Sequence, residues 1–267
     1  MKNILFIGCG HMGSALLGAW IKDKNNKITV VDPLKYKHIK KKYKIDAFES
    51  ANLIQNVNIF DIVVLAVTPQ LVDKVLEKYK LLRFKKTCVI VSIIAGKKIN
   101  ILKKAIPNVS QMIRVMPNMP ALVGESVSFL VPSRNTSNKN KNNIYKLFSQ
   151  VGIVFWLKKE KEIDIATAIS GSGPGYIFYL INALEEAANE LGLNKKINQR
   201  IILQTLIGSL KLIQHSKKSS KKLANEIAIK GGTTEAGIKV LKKNNINKIL
   251  SQTLKSAYKK AIFLSKK

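Results

Sequence analysis

Cysteine is nearly absent: Cys9 and Cys88 are the two thiols in 267 residues. Two thiols cannot form the disulfide framework that staples small secreted domains, and their scarcity fits a reducing, cytoplasmic setting. Glycine stops at 15 residues, which excludes a collagen-like chain. His11, His38 and His215 are the only histidines and are too dispersed for a metal site, so no metal is expected. Long apolar runs are missing. The longest clean one, residues 62–67, is far short of the ~20 residues that a spanning helix needs, so no membrane association is expected. The mostly apolar N-terminus is interrupted by Gly8, Gly10, His11 and Gly13 and lacks a convincing small-x-small cleavage site, so it reads as structure and not as a signal peptide. Acidic residues number 16 against 46 Lys plus Arg, a formal net charge of +30. Arginine is scarce too, limited to Arg83, Arg114, Arg134 and Arg200. Nucleic-acid recognition favours the bidentate Arg fork, and scattered lysines do not replace it. The charge therefore reads as a lysine-rich surface, with no specific nucleic-acid partner expected.

Hydrophobic residues make up 46% of the chain, enough for a sizeable core, which excludes whole-chain disorder. The first half alternates strand-like and helix-like segments. Strands are expected at residues 3–7, 28–31, 62–67, 89–91, 112–115, 127–131 and 151–157, with a helix at 11–21. The near-continuous apolar character of 62–67 fits a central parallel strand covered on both faces. Residues 132–143, rich in Asn, Ser and Lys, read as an exposed loop leading into a helix at about 144–149. Beyond Leu157 the strand signal stops, and helical periodicity marks 163–169, 175–191, 199–215, 236–242 and 246–265. The expected fold is α/β: a doubly wound, Rossmann-type dinucleotide-binding domain over residues 1–158, then an all-α substrate-binding and dimerisation domain over 159–267.

Gly8-Cys9-Gly10-His11-Met12-Gly13 follows the first strand and opens the first helix. In this pattern the first glycine permits the tight turn, the second lets backbone approach a pyrophosphate, and the third packs helix on strand. The helix N-terminus then favours the phosphates. Asp32, 19 residues after Gly13 at the end of the second strand, suits a ribose hydroxyl and so favours NADH. Lys35 and Lys37 follow closely and oppose that preference, so NADPH and NADH both stay open. Cys9 reads as a loop spacer, and His11 matters through its backbone.

Four more segments are distinctive. They are Ala66-Val67-Thr68-Pro69 after the third strand, then Arg114-Val115-Met116-Pro117-Asn118-Met119-Pro120, then Ser170-Gly171-Ser172-Gly173-Pro174-Gly175-Tyr176, and last Gly231-Gly232-Thr233-Thr234. In this order and spacing the whole chain resembles the pyrroline-5-carboxylate reductase family. That resemblance implies an oxidoreductase that reduces the cyclic imine 1-pyrroline-5-carboxylate to L-proline with NADPH or NADH, and a homo-oligomer built from dimers. It implies that the glycine loop and residues 66–69 flank the cofactor, that Ala95 and Asn118 lie near the nicotinamide, and that Asn52, across an alignment gap, lies near the adenosine. On the substrate side it implies Gly231, Gly232, Thr233 and Thr234, with Glu160 lining the site. A turn of two glycines before a helix exposes N–H groups suited to the substrate carboxylate, and the Thr234 hydroxyl suits the ring nitrogen. The chain departs from the family at Thr68, where Lys is usual, and at Ile229-Lys230, where Ser-Pro is common.

Read without that resemblance, Thr233 is a helix cap, Asn118 a turn former and Glu160 part of a solvated charged run. A β-hydroxyacid-type dehydrogenase is the nearest rival enzyme, but residues 175–191 lack the Lys that such enzymes present on their interdomain helix. A non-catalytic nucleotide- or nucleic-acid-binding protein would have no use for the 231–234 segment.

Overall fold

The computed structural model describes residues 1–80 and 82–266. Its elements run β1 (Lys2–Ile7), α1 (His11–Trp20), β2 (Asn26–Val31), α2 (Tyr36–Tyr43), β3 (Asp46–Phe48), β4 (Ile62–Leu65), α3 (Val72–Tyr79), β5 (Val89–Ser92), α4 (Ile99–Ala105), β6 (Gln111–Met116), β7 (Ser126–Pro132), α5 (Asn138–Ser149) and β8 (Gly152–Trp156). Helices follow: α6 (Glu162–Ala166), which continues into a π-turn over Thr167–Gly171, then α7 (Gly173–Glu190), α8 (Lys195–Ser216), α9 (Ser220–Ile227), α10 (Thr233–Lys243) and α11 (Ile246–Lys266).

The strands form one sheet in the order β3-β2-β1-β4-β5-β6-β7-β8. Pairing is parallel from β3 through β6, antiparallel between β6 and β7, and parallel again between β7 and β8. The first six strands therefore have the doubly wound dinucleotide-fold order, and the sequence direction switches at β1 and β4. Alternation splits each central strand between two cores. Ile4 and Phe6 of β1 pack with Ile62 and Val64 on one face, while Leu5 and Ile7 pack with Val63 and Leu65 on the other. Trp20 anchors the first core. Its indole donates to the Leu147 carbonyl (2.8 Å) and its ring meets Phe148 edge-on at 5.2 Å.

The chain forms two compact units: Met1–Ser172 together with the chain from Ala257 on, and Gly173–Ser256. In the first, α6 and the π-turn stay with the sheet, burying Ile163, Ala166 and Ala168. The second is helical, and α7 buries none of its side chains.

Several elements differ from expectation. The segment expected as a loop over 132–143 already turns helical at Asn138. Ser137 caps α5 by accepting from the Asn140 N–H (3.2 Å), and buried Asn140 donates to the Thr87 carbonyl and Gln111. The strand expected at 62–67 ends at Leu65. The short elements α2, β3, α3, α4 and α9 were not among the expected ones.

Candidate active site

At the carboxyl ends of β1 to β4 lies a crevice of about 270 Å³, lined by Gly8, Cys9, Gly10, Asp32, Lys35, Ala51, Ala66, Val67, Thr68 and Lys78 among others. Open α/β sheets bind ligands at such a switch point. Each glycine of the loop meets a different constraint. Gly8 has φ +82°, and a Cβ there would lie 2.7 Å from Val67 Cγ1 and 3.0 Å from the Ala66 carbonyl oxygen. Gly10 is the N-cap of α1 and faces open space, with nothing within 4 Å of a Cβ. Gly13 packs against β4's exit, a Cβ there standing 3.1 Å from Ala66 Cβ. Tight turn, open approach and close helix–strand packing are thus all present, and no side chain caps α1. The residues fit a dinucleotide, whose pyrophosphate the α1 N-terminus would hold.

Asp32 is buried and committed. Its Oδ2 accepts from the Cys9 N–H (2.7 Å), and its Oδ1 from the N–H groups of Leu34 (3.0 Å) and Lys35 (2.9 Å). The carboxylate therefore ties the exit of β2 to the glycine loop. Cys9 is buried with its Sγ 3.4 Å from Ser14 Oγ, and burial pushes the thiol pKa up, which fits a spacer and not a nucleophile. His11 and Thr68 are exposed at the crevice side of the sheet, whereas Met12 and Pro69 are half-buried. Asn52 is exposed beside the lining residue Ala51.

Ala95 is exposed on the loop after β5, and Asn118 is buried in the turn after β6. The Asn118 side chain bonds only backbone: Oδ1 accepts from the Val127 N–H (2.9 Å) and Nδ2 donates to the Ser170 carbonyl (3.1 Å). It joins the 117–125 turn to the π-turn, the kind of helix irregularity that recurs at functional sites. Gly171 completes that contact, since a Cβ there would stand 2.7 Å from Met116 Cε. Two segments far apart in sequence thus form one layer.

Glu160 is not a solvated surface charge. Its Oε1 accepts from the Ile99 N–H (2.8 Å) and from Arg114 Nη1 (3.1 Å). Arg114 is 2% exposed and has a second carboxylate, Asp164, 3.8 Å from Nη2.

In the helical unit, residues 231–234 form a glycine turn into α10. Gly231 has φ +78°, and Gly232 is the N-cap. The two glycine N–H groups are used within the turn: Gly231 donates to Glu235 Oε2 (2.9 Å) and Gly232 to the Ile229 carbonyl (2.9 Å). The open donors are those of Thr233, Thr234 and Glu235, the first-turn N–H groups that have no partner inside a helix. Both threonines are exposed. Glu235 escaped the sequence reading. Its signal was a carboxylate three residues after the N-cap, the spacing of a capping box. Gly231 and Lys239 hold the Glu235 carboxyl below the usual carboxylate range. Asp164 carried no sequence signal, and Arg114, although it opens a distinctive segment, carried no sign of its partners, because only the fold brings both residues to Glu160.

Known proteins resemble both units. Residues 160–264 match the pyrroline-5-carboxylate reductase dimerisation model, and residues 3–96 match a model described as NADP oxidoreductase, coenzyme F420-dependent. The pyrroline-5-carboxylate reductase of Pseudomonas aeruginosa is 32% identical, over 98% of this chain and 97% of its own length. A structure of the Coxiella burnetii pyrroline-5-carboxylate reductase superimposes with a TM-score of 0.89 at 31% identity, covering 100% of this chain and 99% of that one. The Plasmodium falciparum pyrroline carboxylate reductase, solved with NADP bound, gives 0.87 at 29% identity, covering 99% and 98%. With a likeness that runs through the glycine loop, the π-turn layer and the α10 turn alike, the chain belongs to the pyrroline-5-carboxylate reductase family.

Proposed function

We propose that the protein reduces 1-pyrroline-5-carboxylate to L-proline with NADPH or NADH. The observation that carries this reading is the likeness to pyrroline-5-carboxylate reductases over 98% of the chain. The glycine loop, residues 66–69 and the turns bearing Ala95 and Asn118 hold the dinucleotide. The open N–H groups of Thr233 and Thr234 take the substrate carboxylate, and the Thr234 hydroxyl bonds the ring nitrogen. Bound at the crevice, a reduced nicotinamide supplies the hydride. A protonated C=N is already electrophilic, so the side chains need supply no nucleophile. They orient the imine and withhold competing contacts. Hydride addition at the imine carbon leaves a secondary amine, and solvent returns the ring nitrogen to its protonated form. The test is isotopic: a cofactor deuterated at the transferable position should place deuterium on the δ-carbon of proline, the former imine carbon, and loss of the label to solvent would remove direct transfer.

Two variants separate the roles on α10. Thr234→Ala should lower kcat about tenfold to a hundredfold, since orienting contacts reach that size, with NADPH affinity unchanged. An unchanged kcat would take Thr234 out of the mechanism. Glu235→Ala should loosen the turn and raise KM for the imine several-fold, about the worth of one charge-assisted hydrogen bond, with kcat little changed. The depressed Glu235 carboxyl adds to folded stability above its ordinary pKa of about 4.3, and this contribution is lost as pH falls through the lower folded value. The Gly231–Glu235 contact should therefore hold through mild acid.

The helical unit supports pairing with a second copy. Phe178, Tyr179 and Leu210 are exposed there, by 59%, 75% and 61%, more apolar surface than a lone unit normally leaves in water. Assembly of such dimers into a larger particle and a cytoplasmic location complete the reading. The second draws support from two cysteines that are free and buried. Among the described residues no helix is long and apolar enough to cross a membrane.

A further inference from the structure

The loop after β5 carries Ala95 to the carboxyl edge of the sheet, and the structure grips that loop from two directions. From one side comes the end of α11. Gly96 has φ +76°, and a Cβ there would lie 2.8 Å from the Leu264 carbonyl oxygen, so the helix backbone touches the loop backbone. The next residue, Ser265, is 2% exposed and its Oγ donates to Asp164 Oδ2 (3.4 Å). From the other side, Glu160 accepts the N–H of Ile99, the first residue of α4, where the same loop ends. Between them sits Arg114, buried, with Nη1 on Glu160 and Nη2 facing Asp164. Lys97 of the loop, 8% exposed, adds an ion pair to Asp73 of α3 (3.0 Å).

We propose that this chain of contacts, Ser265–Asp164–Arg114–Glu160–Ile99 N–H, is the positioning device for the Ala95 loop, with the end of α11 as its outer latch. Glu160 is then a positioning residue that acts through the loop and not a ligand of the imine. The inference rests on the reductase reading, in which that loop flanks the nicotinamide. Its physical basis is economy of placement. The loop itself is short and exposed at Ala95, and burying Asp164 and half-burying Glu160 demands a cation and hydrogen bonds in fixed positions. Arg114 meets that demand and lies within β6, the strand that leads to Asn118. One guanidinium therefore sets the spacing between the two turns that flank the nicotinamide.

The test compares wild type, Glu160→Ala, Glu160→Gln and a chain ending at Phe263, with melting temperature and particle size as folding controls. NADPH dissociation constants are titrated by cofactor fluorescence, and kcat and KM are measured with 1-pyrroline-5-carboxylate. Glu160→Ala and the truncation should lower kcat about tenfold and raise the NADPH dissociation constant about fivefold, with KM for the imine within about twofold. Glu160→Gln keeps an oxygen for the Ile99 N–H and should bring kcat back to within about threefold of wild type. A change confined to the imine KM would make Glu160 a substrate ligand and overturn the proposal. Unchanged kcat and NADPH affinity in both Glu160→Ala and the truncated chain would overturn it too. A truncated chain that does not fold leaves the decision to the Glu160 pair. If wild type binds NADPH and reduces no imine, the functional reading fails alone, and the NADPH dissociation constants decide the relay.

Discussion

Gly8→Ala should raise the NADPH dissociation constant at least about a hundredfold, roughly 2.7 kcal/mol of binding free energy. Two costs combine. The left-handed backbone at φ +82° costs an L-residue about 1–2 kcal/mol. The added methyl meets Val67 Cγ1 at 2.7 Å and the backbone oxygen of Ala66 at 3.0 Å. Val67 can turn away, but Ala66 is the exit of β4 and also packs against Gly13, so relief there moves the whole crevice wall. Gly10→Ala is the informative contrast. Its methyl enters open space, so the melting temperature of the free protein should stay within a degree or two, about the effect of a neutral surface change. NADPH binding should still fall, because the methyl occupies the approach of the pyrophosphate. Fluorescence titration with thermal melts on both variants checks this. Equal NADPH affinity in wild type and Gly10→Ala would remove the loop from phosphate binding.

Arg114→Met should cost about 3–5 kcal/mol of folding stability, the usual penalty for stranding buried charge. The guanidinium is 3% exposed at its side chain and faces Glu160 at 3.1 Å and Asp164 at 3.8 Å. Methionine fills most of the volume, so packing is largely kept and the loss reports on the two carboxylates. Among the described residues Asp164, 9% exposed at its side chain, keeps the Ser265 hydroxyl, and Glu160, 26% exposed at its side chain, keeps the Ile99 N–H. Urea unfolding of wild type and variant gives the difference. A loss below about 1 kcal/mol, the worth of an ordinary surface pair, would mean that water already screens this cluster.

The part of the fold that was legible in the sequence is the part where one residue pattern has one structural outcome. Ile4 to Ile7 and Ile62 to Leu65 are apolar on both faces, and only a strand sandwiched between helices uses such a run. The glycine loop was legible because each glycine answers a separate backbone demand, now visible in three different surroundings. Residues 138–143 were misread because their composition is that of a loop. Ser137 and a buried Asn140 make them helical, and a cap bond cannot be read from composition. Short β3, at three residues, has too few for a period to register. At the candidate site, Thr233 and Thr234 were singled out through the motif that carries the family resemblance, but the glycines before them use their N–H groups internally, which only the turn geometry reveals. Glu160 sits in a lysine-rich run that looks solvated. Its actual partners, Arg114 and the Ile99 N–H, lie 46 and 61 residues away in sequence. Long-range pairing of this kind leaves no periodic trace along the chain.

The most direct test of the account is cofactor oxidation. NADPH and NADH, each followed by absorbance with purified protein, should be consumed only when 1-pyrroline-5-carboxylate is added, with L-proline formed in equal amount. Turnover with at least one of them is the predicted result. No oxidation with either cofactor, from protein shown by fluorescence to bind it, would contradict the assignment.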